Sequence, residues 1–483
     1  MSESLKEKAI NSMIWVTIDK FGGYFLLFIS NLILARLLMP EDFGCIAMLH
    51  VFLAIADIIM HGGFGAALIQ KKNPTHIDYT SVFYVNLVVS IGLYLTLFFT
   101  APAIAQFYSM PLLSKILRVQ AVVLIISSFS VVQLSILRKN LKFRAIAIRN
   151  VLSSFLGLLV CIPCAIWGFG VWSLVINIIV ARVSGIVLLW KASDWRPTWE
   201  FSFASVKELF GFGGFMLLSS IISTIYNELQ SLLVGKLYSA TDLGYVNQAK
   251  KLEGIPSGAL SSVVTQVSFP VFSKLQDNIM AMKNGMKKNI KSIQYINMPM
   301  MFLLMVIAEP LILLLYGERW AQSIPYFQIL CMSRLFGVVV PLNMSVIGAK
   351  GNGGLYLITQ LIKCAFSIAI IVLSIHHGIY ALMFALAIIP LFDFIICSIV
   401  NRRLINYGLF EQLGDIIPVL MIALIIAGLT YFIKYVFPWN QYVIMVIQTI
   451  LYVLLYVGVT KLLKFEAFGV YYDVLMKNMR IKK

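Results

Sequence analysis

Charged residues are scarce in this chain. Asp, Glu, Lys and Arg make up 12% of the 483 residues, whereas 60% are hydrophobic and the mean hydropathy is +0.90. A water-soluble domain normally carries about a quarter charged residues, so this composition excludes a soluble globular protein. The apolar residues come in runs close to the roughly 20 residues that a helix needs to cross the hydrocarbon core. The sequence therefore predicts an all-α polytopic membrane protein with about 14 transmembrane helices.

The motifs of several enzyme classes are also missing. The chain has no G-x-x-x-x-G-K-[ST] phosphate loop, no G-x-S-x-G elbow and no H-E-x-x-H zinc helix. ATP-driven pumping within this chain is therefore not expected. The predicted loops on the outer side have about ten residues or fewer, too few to hold carboxylates around a sugar as a membrane glycosyltransferase does. We expect no enzyme activity, no catalytic residue and no bound cofactor.

Cysteine is rare and gives no sign of metal or redox chemistry. All six cysteines fall in apolar segments, and the Cys161-Ile-Pro-Cys164 pair has no second pair and no histidine cluster near it. We interpret the six as packing residues and expect no metal site. The stretch from Met1 to Ala9 is charged and lacks a small-residue cleavage site, so no removed signal peptide is expected.

The net charge of +17 is distributed by membrane side. Of the 38 Lys and Arg residues, 26 fall in alternate loops on one predicted side, six in loops on the other side and six within spans. The positive-inside rule places the richer side, and with it both termini, in the cytoplasm. The charge thus indicates contact with anionic membrane lipids and does not call for a nucleic-acid partner.

One ten-residue stretch occurs twice. Arg36, Leu37, Asp42 and Gly44 of the first copy correspond to Lys236, Leu237, Asp242 and Gly244 of the second. Further equivalent pairs follow at an offset of about 200 to 210 residues: Phe64 with Phe269, Tyr108 with Tyr316, and Gly170 with Gly378. These repeated residue pairs predict two homologous lobes of six helices each, an arrangement found in transporters.

The repeat and the polar linkers divide the chain. The prediction is an N-lobe over residues 1–190, a cytoplasmic linker over 191–208, a C-lobe over 209–403, and an appended helix pair with a basic tail over 404–483. The second span contains Gly62-Gly63, and the eighth contains Gly254, Pro256 and Gly258. Interrupted spans at equivalent places in two repeats are the best sequence indication of a transporter's binding site, so we expect breaks in both.

Six cations lie within predicted spans: Lys20, Arg182, Lys250, Lys251, Arg334 and Lys363. Each charge at the bilayer centre costs about 2.5–3.5 kcal/mol on insertion scales, so each needs an anionic ligand or an internal acid. Glu253 stands three residues after Lys250, a spacing at which the two can pair. Two interpretations stay open: structural ion pairs between helices, or a cationic site for a phosphate-bearing substrate.

Several stretches of the chain resemble those of a known family. They are Ala35-Arg36-Leu37-Leu38 to Gly44, Phe64-Gly65 to Lys72, Phe269-Pro270 to Asp277, and Leu315-Tyr316-Gly317-Glu318-Arg319-Trp320 through Pro325 to Leu330. On these residues the chain resembles the polysaccharide repeat-unit flippases of the multidrug/oligosaccharidyl-lipid/polysaccharide superfamily. Within it, the chain is similar to the polysaccharide transport family and its colanic-acid and lipopolysaccharide exporter branch, and the resemblance covers nearly the whole chain.

The resemblance implies a fold, a substrate and partners. The fold would be like that of the multidrug and toxin extrusion (MATE) transporters. The substrate would be an oligosaccharide on undecaprenyl diphosphate, moved from the inner to the outer leaflet of the bacterial cytoplasmic membrane by alternating access. Polysaccharide polymerase and chain-length machinery are the implied protein partners. Related flippases carry cations in their first and eighth spans, where Lys20, Lys250 and Lys251 stand, and Arg182, Arg334 and Lys363 are the further diphosphate candidates. Drug/cation antiport, or a scaffold role in polysaccharide assembly, are the alternative functions.

Directional export without an ATP motif implies an ion gradient. The carboxylates Asp19, Asp57 and Glu228 are the candidates for coupling to a proton or sodium gradient. The alternative is that these acids only neutralise Lys20 or a neighbouring cation.

Overall fold

The computed structural model describes residues 15, 22–23, 25–61, 63–71, 73–351, 353–469 and 471. These residues form helices and connecting turns, and no strand occurs among them. They fall into two compact units, Met1–Asn247 and Gln248–Lys483. The division falls within a helix and so differs from the predicted homology boundary at residue 209, which remains a prediction.

The helices of the first unit alternate between long spans and short broken pieces. In chain order they are α1 Phe25–Leu37, α2 Pro40–His61, α3 Phe64–Gln70, α4 His76–Phe107, α5 Leu112–Gln120, α6 Val122–Ser128, α7 Val131–Lys139, α8 Phe143–Ile166, α9 Val171–Ala192, α10 Phe203–Leu237 and the first turns of α11 Ala240–Lys274.

The second unit takes the rest of α11 and nine further helices. These are α12 Ile279–Val306, α13 Ala308–Tyr316, α14 Ser323–Gly337, α15 Val339–Ala349, α16 Gly353–Ser374, α17 Ile379–Ile405, α18 Leu409–Tyr431, α19 Ile433–Val436 and α20 Gln441–Leu462. Two single 3-10 turns, Glu318–Trp320 and Ile375–His377, precede α14 and α17.

The all-α membrane fold predicted from composition is confirmed. Among the described residues, nine helical stretches are long and apolar enough to cross a membrane, or eleven when two bent helix pairs are each taken as one span. Three further helices occupy predicted spans: α1, which is short, and the two 35-residue helices α10 and α11. At 1.5 Å per residue the 35 residues of α10 reach about 50 Å, ample for a bilayer. Fourteen spans remain a prediction.

The predicted breaks in the second and eighth spans have different outcomes. The second span is divided into α2 and α3, and Gly63 between them has a φ of 71°, a left-handed conformation that glycine adopts without strain. Gly62 lies outside the described residues. The eighth span is not broken: α11 is one continuous helix through Gly254 and Pro256, so that prediction was wrong. Proline and glycine are tolerated in membrane helices where neighbouring groups satisfy the freed backbone.

The repeated turns meet as a reciprocal helix crossing in the first unit. A Cβ added to Gly44 would lie 1.7 Å from the carbonyl oxygen of Ala240. A Cβ added to Gly244 would lie 1.9 Å from the carbonyl oxygen of Pro40. Each glycine of one copy therefore touches the backbone at the start of the other helix, and only glycine permits this approach. We name these four residues the glycine crossing.

Of the predicted linker over 191–208, residues 193–202 form the non-helical connection between α9 and α10, and this connection lies on α4. The Trp195 ring is 5.9 Å from that of Phe83, and the Tyr84 hydroxyl donates to the Thr198 carbonyl at 3.0 Å. Ser202 closes the segment by capping α10, because its hydroxyl accepts from the Ser205 amide. These contacts fix the position at which α10 begins.

Buried polar contacts hold the appended helices α18 and α20 against the other helices of the second unit. Asn343 of α15 accepts from Asn401 of α17 at 2.7 Å and from Gln412 of α18 at 3.1 Å. On α20, every fourth side chain from position 448 to 460 is buried and polar: Gln448, Tyr452, Tyr456 and Thr460. All four donate to backbone carbonyls of α18, α12 or α20 itself. Such bonds compensate polar groups inside hydrocarbon and hold the pair in one register.

Ion pairs complete this attachment at one end of α12. Lys283 contacts Glu411 at 2.6 Å, and Lys291 contacts both Asp415 at 3.6 Å and Glu466 at 3.0 Å. The Lys291 ammonium holds the pKa of the Glu466 carboxyl below its usual value, through its hydrogen bond first and its charge second.

The glycine crossing predicts the effect of one methyl group. Gly44→Ala forces two backbones apart, and overpacking of this kind costs about 1–3 kcal/mol of the free energy of unfolding. The melting temperature of the purified protein in detergent, followed by circular dichroism, should fall. Gly428→Ala on α18 is the matched control, because its added Cβ has nothing within 4 Å and should leave the melting temperature unchanged or higher. Equal melting temperatures for both variants and the parent chain would contradict the crossing.

Candidate functional site

The helix α11 carries two adjacent lysines. Lys250 and Lys251 lie on α11, about three turns after its start, and both are partly buried and have interaction partners. Gln248, just before them, is fully buried, and both of its amide atoms lack a partner among the described residues. Buried polar groups without partners are expensive, so their retention here is typical of a functional site and not of packing.

Glu253 forms an ion pair with another helix. Its Oε1 atom lies 2.9 Å from Nε of Arg334 on α14, and its side chain is only 1% exposed. The other carboxylate oxygen, Oε2, is buried without a partner among the described residues. The pairing with Lys250 that the three-residue spacing allows is therefore not the one Glu253 makes.

Two amides of α12 position this ion pair. Asn297 Nδ2 donates to the backbone carbonyl of Arg334 at 3.0 Å, and Gln294 Nε2 donates to that of Leu335 at 2.8 Å. Both amide side chains are fully buried. They fix the backbone of α14 where Arg334 reaches toward α11, which keeps the guanidinium in contact with Glu253.

Lys363 has an acid partner as well. Its Nζ atom lies 3.3 Å from Oδ2 of Asp393, and the exposed fractions of the two side chains are 8% and 12%. The pair joins α16 to α17. Arg334 and Lys363 thus fit the structural ion-pair interpretation, in which an internal acid offsets the cost of a charge in hydrocarbon.

The remaining predicted cations lie elsewhere or outside the described residues. Arg182 is an exposed residue of α9 in the first unit. Lys20, and the neighbouring Asp19 from the predicted coupling set, lie outside the described residues. The structure therefore brings Lys250 and Lys251 together with the Glu253–Arg334 pair on one part of the second unit.

The other predicted coupling acids each lie beside a histidine of α2. Asp57 Oδ2 is 3.6 Å from His61 Nδ1, which also contacts the Asp57 carbonyl oxygen at 2.7 Å. Glu228 Oε1 of α10 is 3.6 Å from His50 Nδ1. Each contact places a carboxylate beside an imidazole nitrogen, which can donate or accept a hydrogen bond.

These groups form one stripe along α2. His50, Asp57 and His61 are spaced by seven and four residues, which are near-whole numbers of turns at 3.6 residues per turn. All three are partly exposed, so water or a ligand can reach them. Sequence reasoning missed His50, although the seven-residue spacing from Asp57 was a signal that could have found it.

No group of three or more potential metal ligands occurs in the described part of the chain. What the arrangement offers chemically is charge: adjacent lysines for an anion, and acid–histidine pairs for protons or small cations. Neither feature resembles a nucleophile activated by a base, as covalent catalysis would require.

The chain is similar to known proteins of polysaccharide biosynthesis and transport. Residues 33–325 match the family described as polysaccharide biosynthesis protein. The succinoglycan biosynthesis transport protein ExoT of Rhizobium meliloti is 27% identical over 73% of this chain and 71% of its own length. The lipopolysaccharide biosynthesis protein WzxC of Escherichia coli is 25% identical over 68% of this chain and 67% of its own.

A solved structure extends the likeness to the fold. The lipid II flippase MurJ in an inward closed conformation superposes with a TM-score of 0.75 at 15% identity, covering 97% of this chain and 100% of MurJ. The helical membrane fold predicted from the sequence is therefore confirmed. With the family match spanning more than half of its residues, the chain belongs to the polysaccharide biosynthesis protein family, whose relatives include membrane transporters of polysaccharide assembly.

Proposed function

We propose that this chain is a flippase for lipid-linked oligosaccharides. It moves undecaprenyl-diphosphate-linked repeat units from the inner to the outer leaflet of the bacterial cytoplasmic membrane, for lipopolysaccharide, capsule or exopolysaccharide synthesis. The observation that carries the proposal is the pair Lys250 and Lys251 on α11, in a polar membrane helix of a fold shared with a lipid II flippase. A cationic pair away from bulk water suits a diphosphate, which brings about two negative charges and several acceptor oxygens.

In this proposal Lys250 and Lys251 bind the diphosphate, and Lys20, which lies outside the described residues, is the further candidate from the first predicted span. A ligand that binds one conformation more tightly than another shifts the protein toward it, which is the requirement of alternating access. Arg334 and Lys363 are secondary candidates, because their acid partners already offset their charge. Arg182 is secondary because of its exposed place on α9.

The glycine crossing acts as the closed contact on the outer side. It joins the starts of α2 and α11, which the distribution of cations assigns to the side away from the cytoplasm. Release of the substrate outward requires the two helix starts to separate. Backbone contacts through glycine suit this role because they close tightly without interlocking side chains.

The location and the partners follow from the same proposal. The chain is an inner-membrane protein with both termini in the cytoplasm, as the cation asymmetry predicts. It receives its substrate from membrane-bound glycosyltransferases and passes it to polysaccharide polymerase and chain-length machinery. No enzyme activity is assigned to the chain itself.

Drug/cation antiport within the same superfamily is the second candidate. A cationic drug would need an acidic cavity, whereas the polar part of α11 carries Lys250 and Lys251 and its acid Glu253 is bound to Arg334. This arrangement favours an anionic substrate over a cationic one. A scaffold without transport would leave the two lysines without a reason to lie inside the membrane.

Coupling to a proton or sodium gradient is assigned to Asp57 and Glu228, with Asp19 as a third carboxylate. The support is the contact of Asp57 with His61 and of Glu228 with His50. A proton or cation bound at either pair changes the charge on α2, the helix whose start forms part of the glycine crossing. The gradient can thereby bias the conformation that binds substrate.

The proposed diphosphate site of Lys20, Lys250 and Lys251, which we call the lysine clamp, is tested by changing one charge. Lys251→Ala should abolish export of the repeat unit in cells that depend on this chain, while Lys251→Arg should retain part of it because the charge is kept. Surface polysaccharide is measured by immunoblot, and membrane insertion by the amount of protein in the membrane fraction. Lys115→Ala removes an exposed cation of α5 and is the matched control, expected to leave export normal.

Normal surface polysaccharide from the triple variant Lys20→Ala, Lys250→Ala, Lys251→Ala would contradict the clamp. Arg334→Ala is a poor test of binding, since it leaves Glu253 buried without a partner and destabilises the fold by about 3–5 kcal/mol.

The coupling residues are tested in proteoliposomes with imposed gradients. The rate of translocation should respond to a proton or a sodium gradient, and Asp57→Asn or Glu228→Gln should remove that response because the neutral side chain no longer titrates. Glu318→Gln, an exposed acid in a 3-10 turn, should behave like the parent chain. A translocation rate indifferent to both gradients would refute coupling.

A further inference from the structure

A polar cavity lies in the second unit, and its lining does not include Lys250 or Lys251. It measures about 460 Å³ and is enclosed by the end of α12, the starts of α13 and α14, and the ends of α18 to α20 that face each other. Its volume is within the range of about 300–1,000 Å³ that small-molecule sites occupy. The distribution of cations assigns this end of the helices to the outer side of the membrane.

The lining combines aromatic faces with hydrogen-bonding groups. Tyr431, Tyr435 and Trp439 supply the rings, and Gln328, Gln441 and Gln448 supply amides. Two of the amides are oriented by the protein, because Gln328 Nε2 donates to the Met305 carbonyl at 3.1 Å and Gln448 Nε2 donates to the Thr430 carbonyl at 3.0 Å. An amide oxygen in each remains an acceptor that a ligand can approach.

The aromatic side chains are supported from within the protein. The Trp439 ring lies 5.0 Å from that of Phe437, and Tyr431 lies 6.0 Å from Tyr435. Trp439 is nevertheless 54% exposed, so its other surface is open to a ligand. An aromatic belt at the membrane interface would explain rings alone, but not a cavity on which three glutamines converge with them.

The charges of the cavity indicate what class of ligand fits. Lys434 is the cation of the lining and Glu309 the acid, so the two formal charges cancel. The Lys434 ammonium lies over the Tyr431 ring at 4.2 Å and near the Tyr435 ring at 5.1 Å, which already stabilises it. A balanced site of this kind does not select a phosphate group, which requires excess positive charge.

The frame of the cavity is rigid. One wall is α20, whose buried polar stripe from Gln448 to Thr460 is bonded to α18 and α12. A neutral ligand with many hydroxyl groups and apolar ring faces matches amides, a lysine, a carboxylate and aromatic rings held in fixed positions. A sugar has both hydroxyl groups and apolar ring faces.

We propose that this cavity binds a neutral saccharide segment of the exported substrate on the outer side of the membrane. This gives the appended helices a role as one wall of a carbohydrate site. The inference rests on the proposed function for the identity of the sugar. It is independent of the lysine clamp, which binds the diphosphate.

The test uses the full chain in lipid nanodiscs and a defined probe. The probe is the free oligosaccharide released by mild acid from the lipid-linked material that accumulates when this chain is deleted. Saturation-transfer NMR should show transfer to the sugar ring protons with the parent chain. Trp439→Ala and Gln441→Ala should weaken the affinity about tenfold, and Trp439→Phe should retain part of it because a ring remains.

Trp199→Ala is the matched control, since Trp199 is 97% exposed and lies on the linker between α9 and α10. It should bind the probe as the parent chain does. Absence of transfer to the parent chain, or equal transfer to Trp439→Ala, would overturn the inference and leave the flippase proposal standing. Absence of accumulated lipid-linked oligosaccharide in the deletion strain would instead contradict the proposed function and remove the premise of this site.

A phospholipid head group is the competing occupant. Native mass spectrometry with phosphatidylglycerol separates the two, because a head group would depend on the Lys434 charge. Retention of phosphatidylglycerol that is lost in Lys434→Ala, with sugar binding unchanged in Trp439→Ala, would reassign the cavity to lipid and overturn the saccharide site. Sugar binding that is unaffected by added phosphatidylglycerol supports it.

Discussion

The cost of charge in hydrocarbon organises this molecule. A cation at the bilayer centre costs about 2.5–3.5 kcal/mol on insertion scales, so each must be offset or must lie in a wet cavity. Arg334 and Lys363 are offset by Glu253 and Asp393 on neighbouring helices, at 2.9 and 3.3 Å. The adjacent lysines of α11 lie beside the first of these pairs, in the most polar of the long helices. The same constraint explains why buried polar side chains of α20 each reach a backbone carbonyl.

The most similar positions of the internal repeat have equivalent structural roles. Gly44 and Gly244 are equivalent in sequence and make equivalent contacts, each against the backbone where the other helix begins. Gly170 and Gly378, another equivalent pair, both precede a long helix and both have a positive φ, 53° and 91°. Duplication thus preserved the places where only glycine fits the backbone. The appended helices stand outside this symmetry, which is consistent with a separate role for them.

Much of the fold could be predicted because the length and hydrophobicity of each local segment determine whether it spans the membrane. Apolar runs fix the spans, and the Gly62-Gly63 pair marks the division of α2 from α3. The continuity of α11 could not be predicted, because whether Pro256 breaks a helix depends on neighbours that satisfy the freed carbonyl. Glu253 was expected near Lys250 at three residues but binds Arg334, 81 residues away, and such partners are set by tertiary packing. His50 was overlooked for the same reason, since its partner Glu228 comes from another helix.

The proposed function is transfer of the lipid-linked oligosaccharide between leaflets. This transfer is measured directly by the accessibility of the sugar from the outer side of the membrane. Spheroplasts of a strain in which this chain can be depleted are treated with a membrane-impermeant sugar oxidant, and the modified fraction of the lipid-linked oligosaccharide is quantified. Depletion should drive the modified fraction toward zero while the total amount of lipid-linked oligosaccharide rises, and re-expression of the parent chain should restore it. A modified fraction that stays unchanged on depletion would contradict the account.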